Sequence, residues 1–270
     1  MNISHFYLRL FPLLLSLLSC THQAQQSTPE DQEKMEYPTA FAHGEIKEVF
    51  PDIFIVTGAS IFQYEGNDIQ KSNNMVIVRN GKELTLINTL RLTETGLKAL
   101  DALGKVTHVV RIGAFHDRND PFYLDRYKAK LWALKGMTHK NNRQADFLLG
   151  EATTAPFPTA SFFRFETTSQ PEAILHIARE GGILVTCDSI KNWTKADEYF
   201  SEKTGKEFLE QGLLAPASID KMWLGAMKPD KSDFIRLKQL TFKHLLSAHG
   251  QPIIGTAAEQ LLPTLEKLSR

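Results

Sequence analysis

A chain of 270 residues has room for one large domain or two small ones. Its 31 basic and 31 acidic side chains cancel, which leaves no electrostatic case for nucleic acid, since that binding rests on clustered lysine and arginine meeting phosphates. A content of 42% hydrophobic and 23% charged residues excludes wholesale disorder, collagen and a multi-span membrane protein, and two cysteines, Cys20 and Cys187, exclude a disulfide scaffold and a four-cysteine zinc module.

The chain opens on Arg9 and an apolar run from Leu10 to Leu18, broken by Pro12 and Ser16. That run is too short for a permanent membrane span and suits the core of a signal peptide. The run ends in Leu17-Leu18-Ser19-Cys20, which resembles a bacterial lipobox. The resemblance implies cleavage after residue 19 and lipidation of Cys20. The plainer alternative is a secretory signal in which Cys20 is incidental. Residues 20–36 then form a lipidated cysteine and a polar tether. A single domain over 37–270 follows. The expected location is the cell envelope after export, with the membrane touched only through the N-terminal lipid.

Within the domain, residues 53–57, 75–79 and 84–88 read as strands, with Asn80-Gly81 as the turn of a hairpin in which both residues need positive φ. Thr93 can cap a helix to Leu103 that Gly104 ends. A strand at 106–112, a polar loop at 113–120, a helix opened by Pro121 and a strand at 129–135 follow. The second half gives strands at 162–165, 173–178, 183–187 and 243–248, with helical spacing over 194–240. Thr256 and Glu259 make a capping box for a last helix that Pro263 bends or restarts. This order predicts an α/β sandwich.

Polar groups gather where apolar runs end. His116 and Asp117 follow the strand at 106–112, Asp188 follows that at 183–187, and His249 follows that at 243–248. Loops at strand ends are where a rigid scaffold presents reactive groups. Imidazole and carboxylate suit zinc, iron or manganese. Each residue also has a plainer reading: His116 bonded to local backbone, Asp188 bonded to loop amides beside Ser189, His249 making a tight turn. Cys187 reads as a small core residue. His108 reads as structural, and His139, His176 and His244 lack partners at ligand spacing. Trp193, Tyr199 and Phe200 can line a cleft beneath a charged segment at 194–211.

In this order the segments VTHVVRIGAFHDRNDPFYLDRYKAKLWA, GGILVTCDSIKN, HLLSAHGQP and LTLINT resemble the metallo-β-lactamase-fold superfamily over most of residues 45–265. The resemblance implies an αββα sandwich of two mixed β-sheets with outer helices, and a metal-dependent hydrolase with its site at one edge. The chain departs from the His-x-His-x-Asp-His motif. Gly113 and Phe115 fall on the first two histidines, Asp117 on the aspartate and Arg118 on the last histidine. Phe165-Glu166-Thr167-Thr168 lacks the middle histidine, and Asn88 replaces the early aspartate. A two-metal site is therefore not expected.

The expectation is one divalent metal, zinc or alternatively iron or manganese, held by His116, Asp188 and His249. Asp117 or Asp120 would serve as a further ligand or take a proton, and Tyr123 would donate to an oxyanion or orient a ligand. The substrate would be a small ester, lactone or phosphoester. The competing expectation is a metal-free member in which Arg118 bridges Asp117 and Asp188 and the domain binds a small ligand at the envelope.

Overall fold

The computed structural model describes residues 36–140, 143–151 and 155–270. The signal segment, Cys20 and nearly all of the tether lie outside the described residues. Strands β1 (Lys47–Phe50), β2 (Ile53–Tyr64), β3 (Asn67–Asn80) and β4 (Glu83–Ile87) form an antiparallel run. Helix α1 (Glu94–Leu103) then crosses to β5 (Lys105–Arg111), and α2 (Asp120–Tyr127) crosses to β6 (Lys130–Ala133). The short β7 (Phe147–Leu148) closes the edge. Strands β4 to β7 are parallel, as such crossovers require. The result is a seven-stranded mixed sheet in sequence order.

The second sheet holds β8 (Ala160–Arg164), β9 (Ala173–Ile177) and β10 (Ile183–Thr186) as an antiparallel meander. A small pair follows, β11 (Ile190–Lys191) with β12 (Ser218–Ile219), flanked by α3 (Glu202–Glu210), α4 (Lys221–Met227) and α5 (Lys231–Leu237). Strand β13 (His244–Ser247) then runs parallel to β10 on its other side, and α6 (Ala257–Leu268) ends the chain.

Three apolar layers define the sandwich. Between the sheets lie Ile53, Val76, Ile87 and Val110 from one and Leu175, Ile183, Val185 and Leu246 from the other. Leu97 and Leu100 of α1 and Phe122 of α2 cover the outer face of the first sheet. Trp223, Phe234 and Leu261, from α4, α5 and α6, cover the second. Each fully buried aliphatic side chain stabilises this arrangement by about 1.5–3 kcal/mol. The αββα sandwich expected from the sequence is the observed fold.

Local differences have physical reasons. The predicted strand at 53–57 extends to Tyr64, and its partner begins at Asn67, around a tight turn in which Glu65 and Gly66 have φ of 48° and 78°. Asn80 pairs with Glu83, so the next turn is Gly81-Lys82 and only Gly81 has positive φ. Glycine at the first central position suits this hairpin. Thr93 caps α1 as expected, accepting from the Gly96 amide. Thr256 does not cap α6, because its hydroxyl accepts instead from the Gln260 side chain at 2.8 Å. Pro263 lies inside α6 rather than at a restart.

Candidate metal centre

The parallel pairing of β10 with β13 places Thr186 opposite Ser247, so the residues that follow, Cys187-Asp188 and Ala248-His249, leave the sheet side by side. Strand β5 delivers Gly113 to a bridge with Glu172, just before β9. His116 rides on the loop between. Asp188 thereby stands between two imidazoles: His249 Nε2 lies 2.9 Å from one carboxylate oxygen and His116 Nε2 lies 3.4 Å from the other. The two imidazole rings are 5.0 Å apart, centre to centre. Trp193 forms the floor, 4.7 Å from the His249 ring, with its indole N–H donated to Ser72.

Cys187 joins this group. One ligand atom each from His116, Cys187 and Asp188 lie within 4.8 Å of one another. From the sequence alone Cys187 reads as a packing residue, because a lone cysteine at a strand end carries no spacing signal. Burial, together with the nearby Asp188 and Glu172 carboxylates, pushes its thiol well above the ordinary range. Burial also works to raise the Asp188 carboxyl, but the charge of nearby His116 and the hydrogen bonds of both imidazoles outweigh it and hold Asp188 well below the usual carboxylate range. His249 is driven the other way. Burial, then the positive charge of Lys71 and Lys191, overcomes its bond to Asp188 and keeps it neutral. A neutral ring with its proton on Nε2 can donate to Asp188, and its buried Nδ1 then needs no acceptor; no partner for Nδ1 is present among the described residues.

The loop after β5 holds Gly113, Phe115 and Arg118 in distinct settings. No side chain fits at Gly113, the position the resemblance sets against a first histidine: a Cβ there would lie 2.3 Å from Cys187 Sγ. Phe115 points outward, 59% exposed. Arg118 donates to the Ile61 carbonyl and makes no ion pair with Asp117 or Asp188 among the described residues, so it does not occupy the cluster as a counter-ion. Buried Arg111 holds the loop by donating to the carbonyls of Gly113, Ala114 and Thr138.

Asp120 and Tyr123 both lie buried on α2. Asp120 is buried at the start of α2, where Thr89 donates to one oxygen at 2.5 Å and the other has no partner among the described residues. Burial, only partly offset by that bond, pushes its carboxyl up to about 6. Tyr123 is fully buried, donating to the Leu90 carbonyl and accepting from the Leu92 amide. Its hydroxyl is thus committed to the backbone after β4, and it is not an oxyanion donor in this arrangement. Asp117 is half-buried beside His116.

Three further groups escaped the sequence reading. Glu172 is wholly buried, accepting from the Ser189 amide and the Trp223 indole. Burial, with Asp188 nearby, lifts it to about 8, which keeps it protonated at neutral pH. Lys191 reaches Asp220 at 3.1 Å and Asp188 at 3.8 Å. Lys71 lies over the face of Trp193. Asn88, in place of the early aspartate, donates to the Thr186 carbonyl at 2.9 Å.

No protein-family description matches this chain, and no curated protein sequence does. Solved structures do match. The metallo-β-lactamase DIM-1, in a crystal exposed to ceftazidime, is 15% identical, with a TM-score of 0.56 over 86% of this chain and 99% of that one. The FIM-1 metallo-β-lactamase from Pseudomonas aeruginosa, in its mono-zinc form, is 14% identical, with a TM-score of 0.55 over 86% and 98%. A metallo-β-lactamase from Pontibacter korlensis is 15% identical, with a TM-score of 0.52 over 82% and 98%. At such low identity the likeness is one of fold, and the fold of this chain is that of the metallo-β-lactamases.

Proposed function

We propose that this protein is a metal-dependent hydrolase with one metal, acting on a small ester, lactone or phosphoester. The observation that carries the reading is the convergence of His116, Cys187 and Asp188 ligand atoms within 4.8 Å. Imidazole, thiolate and carboxylate suit zinc, and three protein ligands with an open position is the catalytic pattern. The likeness to a mono-zinc metallo-β-lactamase supports it. In this reading His249 orients Asp188 from outside rather than serving as the ligand the sequence suggested, because its Nε2 proton is already committed to that carboxylate. A divalent ion held there would polarise a substrate carbonyl or phosphoryl oxygen and make water more acidic. Asp120 takes the proton-accepting part, since an affinity near neutrality suits transfer at working pH and one of its oxygens is free of partners.

The test is Asp188→Ala. Zinc-reconstituted wild-type protein should hold close to one equivalent by elemental analysis, and the variant less than a tenth, with far-ultraviolet circular dichroism unchanged. Wild-type protein that takes up no transition metal on reconstitution would overturn the reading. β-Lactam hydrolysis does not follow from the fold, because a fold does not fix the chemistry it carries.

A further inference from the structure

Lys71 sits in the half of β3 nearer its turn, next to Ser72, which bonds the Trp193 indole. Its ammonium lies 5.2 Å from the centre of the Trp193 ring and 5.7 Å from that of Phe62. Lys191 faces the same indole at 5.4 Å. The two cations differ in one respect. Lys191 is balanced by Asp220 and Asp188. Lys71 has no carboxylate within ion-pair distance and no hydrogen-bond acceptor among the described residues. An ammonium left half-buried against aromatic faces, with no carboxylate in direct contact, loses hydration and regains the cation–π attraction and the longer-range pull of Asp188 and Asp220. Burial and then the neighbouring Lys191 lower it to about 8, so it still carries its proton at neutral pH.

The indole that carries Lys71 packs directly on His249, which bonds Asp188, which meets His116. The Lys71 ammonium therefore stands one aromatic ring away from the cluster. We propose that Lys71 anchors a carboxylate of the substrate, so that the bond to be hydrolysed belongs to a monoanionic acid and lies over the His116–Asp188 pair. The Lys71 ammonium is in ion-pair contact with no carboxylate among the described residues, which leaves its donors open to one from a ligand. The inference rests on the hydrolase reading for the reaction, but not for the binding contact.

The test uses full-length protein reconstituted with zinc, titrated calorimetrically with 3-phenylpropionate and with its uncharged amide. The carboxylate should bind about tenfold more tightly than the amide, the worth of one charge-assisted contact. Lys71→Met, which keeps the stem over Trp193, should lose about tenfold for the carboxylate and leave the amide unchanged. Lys71→Arg should keep the preference. Three results would overturn the anchor: no carboxylate preference in the wild type, a preference that survives Lys71→Met, or equal losses for both probes, as a merely structural lysine would give. Zinc analysis of each preparation separates the two readings. Wild-type protein without zinc overturns the hydrolase, whereas the Lys71 comparison is read from the same titrations in metal-free protein.

Discussion

The two sides of the cluster are built differently. The loops after β10 and β13 are buried and laced by hydrogen bonds. Asn74 from β3 donates to the carbonyls of Ser247 and Gly250, the Asn192 side chain donates to the Gln251 carbonyl and accepts from the Ala217 amide, and the Ser189 amide is held by Glu172. The loop after β5 is half-exposed, and Arg111 is its main tie to the sandwich. The first side presents Asp188 and His249, and the second presents His116. A position locked by many partners cannot change without moving its neighbours, whereas a half-exposed loop can exchange residues one at a time.

The sharpest way to break the locked side is Gly250→Ala. Gly250 has φ of 94°, and a Cβ there would lie 2.0 Å from the Asn192 carbonyl oxygen and 2.4 Å from the Trp193 amide nitrogen. Backbone cannot yield as a side-chain tip can. The substitution should cost about 4 kcal/mol or more, beyond the ordinary range for a single change. Urea denaturation should show the loss, and a cost below about 1 kcal/mol would mean the turn is freer than its packing implies.

The open side should respond less, and through a single neighbour. Gly113→Ala forces a methyl against Cys187 Sγ and should cost about 2–3 kcal/mol. Cys187→Ala removes that sulfur. The Cβ of residue 187 would still lie 2.8 Å away, so relief is partial. A double-mutant cycle should show the pair coupled by about 1 kcal/mol or more, with the double variant more stable than the two single losses predict. Additive losses would show that something other than Cys187 excludes a side chain from position 113.

These contrasts also decide what was legible in the sequence. Strand centres such as 75–79 and 183–187 stood out because both sheets bury unbroken apolar runs. The turn-side half of β3, Asn67 to Asn74, was invisible: Ser72 and Asn74 are polar yet buried, serving the Trp193 indole and the His249 turn rather than a core. His116, Asp188 and His249 were legible as polar residues ending apolar strands. Lys71 was not, because a lysine in a polar run looks solvated until tertiary packing sets it on an indole. Glu172 was hidden for a similar reason. Gln170-Pro171-Glu172 reads as a surface turn, and only the distant Trp223 and Ser189 account for its burial.

The smallest effect tests whether Asp120 is kept for function rather than stability. A free aspartate titrates near 3.8, and burial raises this one to about 6. Between those values the folded chain holds a proton that the unfolded chain has released, so stability falls as pH rises through the window. Above pH 6 the folded state carries the full penalty, about 3 kcal/mol for a shift of this size. Asp120→Asn removes the charge, keeps an acceptor for Thr89, and leaves an unpartnered amide where Oδ2 has none, which returns about 1 kcal/mol. The variant should therefore be more stable than wild type by about 1–2 kcal/mol in urea at pH 8, with no gain at pH 4. If Asp120 accepts a proton in hydrolysis, the same variant should lose turnover while gaining stability, the trade expected when a strained group is retained for chemistry. Equal stability at both pH values would show that the carboxyl is not held near 6, and its part in proton transfer would go with it.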